Sequence, residues 1–342
     1  MSRVTVQSIA DELGLSKFAV SRALSGQPGV SDATRAAVIE LAQRLGYSPR
    51  ARKFSKKVSK NIRVEVIYHD PEVMHRELWI EVQAGVEARA AAAQVAVAVR
   101  WTADPRIATD MAASADGFIL IGPHADDIIE AIRASATPCV CIGDPLPPLE
   151  PMDYIGGADE EGAAAVARHL IQLGHRDFLF VHGRPGYPGR IRRFESFQSQ
   201  LAGVTNSQVR ELVLPEDSAP ADFAKALQSL HGEGFVPTGF FCGNDYVAVT
   251  VLTELMRLGV RIPDEASVIG YGDYAISRHT SPMLTTVKVP YRQMGSAALS
   301  LLMTRVGMGG TINDLPPQRI GLVPQFLQRG TSGPIKELPW PQ

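Results

Sequence analysis

The feature that most constrains this chain is a change of pattern near residue 60. Before it lie three short helical repeats, and after it apolar strands alternate with helices over more than two hundred residues. No single core accommodates both patterns, and 342 residues exceed one domain of ordinary size. The charge changes sign at the same place. Residues 1–60 carry eleven Lys or Arg against four Asp or Glu, whereas the remainder carries 23 against 32. The overall net charge of -2 conceals a basic head on an acidic body. A basic head favours a polyanion and steers the encounter with it.

In the head, Val6, Ile9, Ala10 and Leu13 recur at helical spacing, with Thr5 as cap and Gly14 as stop. Ser16 is placed to cap a second helix, Lys17 to Leu24, whose inward face would be Ala19, Val20, Ala23 and Leu24. Ser31 is placed to cap a third, from about Asp32 to Leu45, with an apolar stripe of Ala33, Ala37, Val38, Leu41 and Leu45. Two short helices about a tight turn, completed by a third, make a helix-turn-helix. The second helix of such a unit enters the major groove by its N-terminal end. Lys17, Phe18 and Arg22 then face outward: the cations can donate to guanine edges or phosphates, and Phe18 can pack on a thymine methyl.

From Arg63 onward, runs such as RVEVIYH, DGFILIG, DFLFVHG and GFFCGND alternate with amphipathic segments. Near-continuous apolar strands separated by helices predict parallel sheets covered on both faces, here enough for two α/β lobes. Ligands of such sheets sit beyond the carboxyl ends of the strands, at His69-Asp70, Trp101, Gly122-Pro123-His124, Asp144, His182, Asn244-Asp245 and Gly272-Asp273. The chain has neither G-x-G-x-x-G nor a Walker loop, and GRPGYPG at 183–189 lacks the GK[ST] ending and reads as a plain loop. Cys139, Cys141 and Cys242 are too few for a disulfide framework or a structural zinc site, so no metal and no cofactor are expected. No run reaches eighteen apolar residues and the start lacks a signal-peptide pattern, which predicts a cytoplasmic protein without membrane attachment.

The head segment VTVQSIADELGLSKFAVSRALSGQPGVSDATRAAVIELAQRLGYSPR resembles the N-terminal signature of the lac repressor/galactose repressor family. GNDYVAVTVLTELMRLGVRIPDEASVIGYGD, SPMLTTVKVPYRQMG and VPQFLQRGTSG extend the resemblance through the body, to about residues 3–333. It implies an all-α helix-turn-helix head joined to a two-lobed sensor shaped like the periplasmic sugar-binding proteins, with two parallel doubly wound sheets. The implied divisions are a head over 1–48, a basic hinge over 49–61, lobe one over 62–157 and 290–319, lobe two over 158–289 and 320–332, and a tail over 333–342. The family's base-reading positions fall on Lys17, Phe18 and Arg22. Thr5, Ser16, Ser21 and Ser25 join them as DNA contacts, while Ala19 replaces a usual threonine. In the hinge, Lys56 stands where the family carries a groove-wedging leucine, a role a lysine cannot fill. Phe54 or Val58 could serve in a shifted register. Otherwise Arg50, Arg52, Lys53, Lys56, Lys57 and Lys60 bind by charge.

For the sensor, the resemblance implies effector contacts from Trp79, Asp159, Arg193, Asn244, Asp245 and Asp273. Gly272 stands where a ligand-binding carboxylate is usual, which leaves Tyr246, Tyr271 or Tyr274 as substitute anchors. Bland roles compete with these. Asn244 and Asp245 are equally placed to cap a helix, Trp79 could serve a dimer interface, and Asp273 could hold backbone. The function implied is a repressor, a homodimer on pseudopalindromic duplex DNA, released from it by a sugar or sugar acid. The alternatives are a corepressor-dependent regulator sensing a metabolite such as a nucleobase, a plain ligand-binding protein, or an enzyme, for which no nucleophile–base pair or metal cluster is visible. Replacing Arg22 by alanine should cost about 1–3 kcal/mol of operator affinity and leave binding to random duplex nearly unchanged. Fluorescence anisotropy on both duplexes checks this, and equal losses on the two would remove Arg22 from the base-reading set.

Overall fold

The computed structural model describes residues 5–24, 30–45, 62–71, 76–143, 146–183, 188–214, 220–307 and 315–336, and every count or absence refers to these. The chain divides into two compact units, Met1–Lys60 and Asn61–Gln342.

The first unit is three helices: α1 (Val6–Leu13), α2 (Lys17–Leu24) and α3 (Asp32–Arg44). Each start is capped as the sequence predicts. Thr5 Oγ1 accepts from the Ser8 amide at 3.2 Å while Ser8 Oγ accepts from the Thr5 amide, Ser16 Oγ accepts from Ala19, and Ser31 Oγ from Thr34. Such a cap supplies a partner to an amide that the helix itself leaves unbonded. Gly14 ends α1 in the left-handed region (φ 64°), where a side chain would be strained. Ile9, Ala10, Val20, Ala23, Val38, Leu41 and Ala42 form the core. Ala33 and Ala37, expected in the apolar stripe of α3, are instead exposed. Val38, Leu41 and Ala42 supply that face at helical spacing, and positions 33 and 37 are rotated to one side of it.

The second unit begins with β1 (Arg63–Tyr68), α4 (Glu77–Ala93), β2 (Ala96–Trp101), α5 (Pro105–Ala112), β3 (Gly117–Ile121), α6 (Asp126–Ala134), β4 (Cys139–Ile142) and β5 (Asp153–Gly157). It continues with α7 (Asp159–Gln172), β6 (Asp177–His182), α8 (Pro188–Leu201), β7 (Gln208–Val213), α9 (Pro220–Gly232), β8 (Gly239–Cys242), α10 (Asp245–Arg257) and β9 (Ser267–Ile269). After a 3-10 turn at Ala275–Arg278 come β10 (Thr286–Lys288), α11 (Tyr291–Gly307), β11 (Arg319–Leu322) and β12 (Gln325–Leu327).

Two sheets result. Lobe one holds six parallel strands in the order β11-β5-β4-β3-β1-β2, and lobe two four in the order β7-β6-β8-β9. The central strands β3 and β8 are buried throughout, while the edges β2, β7 and β11 are not, as expected where helices cover both faces of a sheet's middle. An antiparallel pair, β10 with β12, continues lobe two through the bridges Ile269–Thr285 and Gly272–Lys288.

The chain passes between lobes three times: after β5, at Val289-Pro290 before α11, and at Val323-Pro324 between β11 and β12. Two expected divisions are thereby corrected. Lobe one runs to Leu322, not 319, because β11 pairs along its whole length with β5. The tail is part of lobe two as far as Lys336: Gly333 bonds with Ser267 and His175, the Ile335 amide with the Leu173 carbonyl, and Lys336 with Asp264.

α11 returns to lobe one through two glycines. A Cβ at Gly85 of α4 would run into the Arg292 carbonyl, and one at Gly295 of α11 into the Val82 carbonyl. The two backbones touch, so either side chain would push the helices apart. Arg305, near the end of α11, is buried and fixed on Asp153 of β5 by two bonds of 2.7 Å, with the Leu315 and Pro316 carbonyls taking two more of its N–H groups. Gly295→Ala should therefore lower unfolding free energy by about 1–3 kcal/mol, the usual cost of overpacking. Urea denaturation measures it. An unchanged midpoint would show that the helices part without strain.

Candidate functional site

On the head, Lys17, Phe18 and Arg22 project from one side of α2. Phe18 is 68% exposed, which is unusual for so large an apolar side chain, and the Arg22 guanidinium lies over its ring at 4.9 Å. α2 therefore presents cations and an aromatic face together. Thr5 and Ser16 are occupied as helix caps through one lone pair each. The side chain of Ser21 lies outside the described residues, as do Ser25, Arg50, Arg52, Lys53, Phe54, Lys56 and Lys57, and with them the whole hinge over 49–61.

In the second unit a cavity of about 570 Å³ opens between the lobes. Its floor is the carboxyl ends of strands from both sheets: His69 after β1, Gly122 after β3, Gly143 after β4, Gly157 of β5 and Gly243-Asn244 after β8. Parallel strands make this arrangement, since all their ends that lead into the covering helices open on one side.

Its charged centre is Arg193 on α8. Arg193 Nε donates to Asp159 Oδ1 at 2.9 Å, its NH1 donates to the Gly243 carbonyl at 2.7 Å, and its guanidinium lies 3.9 Å from the centre of the Tyr271 ring. Burial works against the guanidinium charge, but Asp159 and the surrounding tyrosines more than restore it, so its pKa is raised. Arg193 is thus a fixed, charged donor in an aromatic setting. Arg190, one turn earlier on the same helix, also lines the cavity.

Aromatic rings supply much of the remaining wall. Trp79 is buried and rests on Gly143, which leaves room for its indole. Tyr246, Tyr274 and Tyr291 form a chain, with centroids 5.5 Å apart for the first pair and 6.2 Å for the second. Burial raises the Tyr274 hydroxyl to about 12, so it stays a neutral donor.

Of the six expected effector contacts, Trp79, Asp159, Arg193 and Asn244 line the cavity, although Asn244 also caps α10 by accepting from the Val247 amide. Asp245 and Asp273 do not line it, a correction to the sequence reading. Asp245 is fully buried behind the wall, accepting from the Tyr274 amide at 2.6 Å and from the Thr286 hydroxyl at 2.5 Å. Asp273 is turned away, with φ 56°, onto Arg278 and Arg329. The two carboxylates shape the turn that carries Tyr274 and do not themselves face the cavity.

The space at Gly272 also has an owner. Its φ is 129°, and a Cβ there would stand 2.6 Å from the Tyr274 ring. Tyr274 therefore fills the place that a side chain at 272 would take. Sequence reading named Tyr274 as a substitute anchor but missed Tyr291 and Glu77. Tyr291 opens a helix whose return to lobe one shows in no local pattern, and Glu77 reads as an ordinary acidic residue in a helix's first turn.

Comparison with known proteins decides the family. Residues 5–50 match "Bacterial regulatory proteins, lacI family", and residues 167–332 match "Periplasmic binding protein-like domain". The chain belongs to the lacI family of regulatory proteins. The Bacillus subtilis (strain 168) protein named "Probable HTH-type transcriptional repressor ExuR" is 25% identical over 307 residues, covering 89% of this chain and 92% of its own. Among solved structures, a CelR–cellobiose complex superposes with a TM-score of 0.68 at 23% identity, over 96% of this chain and 100% of that one. The lac repressor dimer bound to operator and an anti-inducer gives 0.67 at 22%, over 97% and 100%. This lacI-family member is a DNA-binding transcriptional regulator and not an enzyme. Among the described residues no helix is long and apolar enough to cross a membrane, and no group of three or more His, Cys, Asp or Glu is arranged to hold a metal ion.

Asp245 gives this site a pH signature. Burial raises its carboxyl to about 6, against an ordinary value of 3.8, in spite of the two bonds it accepts. Between about pH 4 and 6 the folded protein keeps a proton that the unfolded chain has lost, so this group's contribution to stability falls as pH rises through that window. Asp245→Asn cannot titrate there. The melting temperature of the variant, relative to the parent, should climb from pH 4 to pH 6, and a flat difference would show that Asp245 is ionised throughout.

Proposed function

We propose that this regulator is a repressor whose hold on operator DNA is released by a carbohydrate-like effector, a sugar or sugar acid, bound in the cavity between its lobes. The observation that carries the reading is Arg193, a half-buried guanidinium locked on Asp159 and Tyr271, beside Trp79 and the Tyr246–Tyr274–Tyr291 chain. Sugars offer apolar C–H faces to aromatic rings and hydroxyls to such forks of donors and acceptors. The complex of a similar protein with cellobiose supports the same class of ligand. A cavity of about 570 Å³ suits a small carbohydrate.

In this reading Lys17, Phe18 and Arg22 read base edges, with Thr5, Ser16, Ser21, Ser25 and the basic hinge residues Arg50, Arg52, Lys53, Lys56 and Lys57 along the backbone, and Phe54 as the apolar wedge of a shifted hinge register. Trp79, Asp159, Arg193 and Asn244 hold the effector, and Asp245 and Asp273 position the wall. The regulator works as a cytoplasmic homodimer on a pseudopalindromic site, and closure of the two lobes on the effector changes the spacing of the paired heads.

A thermal-shift panel of cellobiose, ribose, glucuronate and free nucleobases on the full chain tests the effector class. A true effector at one hundred times its Kd should add about 2.7 kcal/mol of stability, and the same compound should weaken binding to the operator in anisotropy. A shift produced by nucleobases alone, or tighter operator binding with the effector, would replace this reading by a corepressor mechanism.

A further inference from the structure

Glu77 lies at the start of α4 in lobe one, yet its partners belong to lobe two. Glu77 Oε1 accepts from the Ala275 amide at 2.8 Å, across 198 residues of sequence. Ala275 is the first residue of the 3-10 turn Ala275–Arg278, whose own preceding residue, Tyr274, provides no side-chain cap. Tyr246, half exposed on α10, also hydrogen-bonds the Glu77 carboxylate, and burial together with that carboxylate raises its hydroxyl pKa. Both residues line the cavity.

We infer that Glu77 is the positioning residue that holds the two lobes together over the effector cavity. The three chain crossovers tie the lobes covalently wherever they stand. They fix no closing angle, because each is a short connection between elements. A carboxylate that accepts from two groups of the other lobe does fix one, since its bonds exist only when the lobes are together. Hydrogen bonds to a charged acceptor are stronger than neutral ones. The Tyr274–Tyr291 pair also joins the lobes, by a ring contact and a hydroxyl hydrogen bond, but both groups are neutral and the bond is the weaker kind. The ion pairs on Asp273 and the bonds on Asp245 lie wholly within lobe two and hold the turn that Glu77 engages. Glu77 therefore sets how much of the population is closed, which is the quantity an effector shifts.

The inference rests on closure being the regulator's signal, but its test needs neither effector nor DNA. Small-angle X-ray scattering and hydrogen exchange on the full chain compare the parent with Glu77→Ala, Glu77→Gln and Tyr246→Phe. Glu77→Ala should enlarge the radius of gyration and speed exchange at Ala275–Arg278 roughly tenfold, the loss expected for one charge-assisted bond. Glu77→Gln keeps the side-chain volume and a neutral acceptor for the Ala275 amide but loses the charge, so it should fall between the parent and Glu77→Ala, whereas a role in packing alone would leave it at the parental value. Tyr246→Phe removes one hydroxyl and should move in the same direction by less. Parental scattering and exchange in both Glu77→Ala and Tyr246→Phe would overturn the inference and leave the carbohydrate reading untouched. A sugar panel without any thermal shift would do the reverse.

Discussion

The backbone contact between α4 and α11 is the constraint on which the sensor depends. α11 follows lobe two in the chain but belongs to lobe one, and only Gly85 and Gly295 let it lie against α4 closely enough to be held. The buried Arg305–Asp153 pair then fixes its far end on the sheet. Such a pair has little net worth against a hydrophobic alternative, but removing one partner leaves a stranded charge. It therefore specifies where α11 stops more than how stable the protein is. With α11 in place, Tyr291 reaches the cavity, β11 joins the sheet, and the chain crosses the cleft a second and third time.

The cavity follows the same economy of charge. Two acidic residues that could have faced a ligand bond instead to the turn behind it, and Arg193, which faces inward beside Arg190, is locked by its own carboxylate. Aromatic faces and tyrosine hydroxyls line the cleft around a rigid guanidinium, with Arg190 and Glu77 beside them. Rigidity there matters because a ligand gains little from a group it must first immobilise. Glu77 adds a different kind of control, acting on the angle between lobes and not on the ligand.

The head was legible almost residue by residue. Thr5, Ser16 and Ser31 cap where local chemistry demands, and Phe18 and Arg22 stand outward as helical periodicity requires. The strands of both lobes were equally plain, because a parallel strand buried on two faces announces itself as a continuous apolar run. The cavity was legible in part. Trp79, Asp159 and Arg193 came from resemblance, and they converge. Asp245 and Asp273 carry the right side chains at the right strand ends, but backbone direction sends one behind the wall and the other onto Arg278 and Arg329. No sequence pattern carries that information, since a φ of 56° at Asp273 is imposed by its surroundings.

By itself, then, the sequence determined the division near residue 60, the helix-turn-helix, the parallel lobes and the family, all of which depend on local periodicity, caps and charge. The tertiary structure decided which residues face the cleft, that Tyr274 occupies the room left by Gly272, that lobe one extends to Leu322, and that Glu77 reaches across to Ala275. All depend on pairs far apart in the chain, even the local Gly272–Tyr274 contact, whose turn is held by Asp245 and Arg329, and their meeting is set by packing and topology, which no short window of sequence contains.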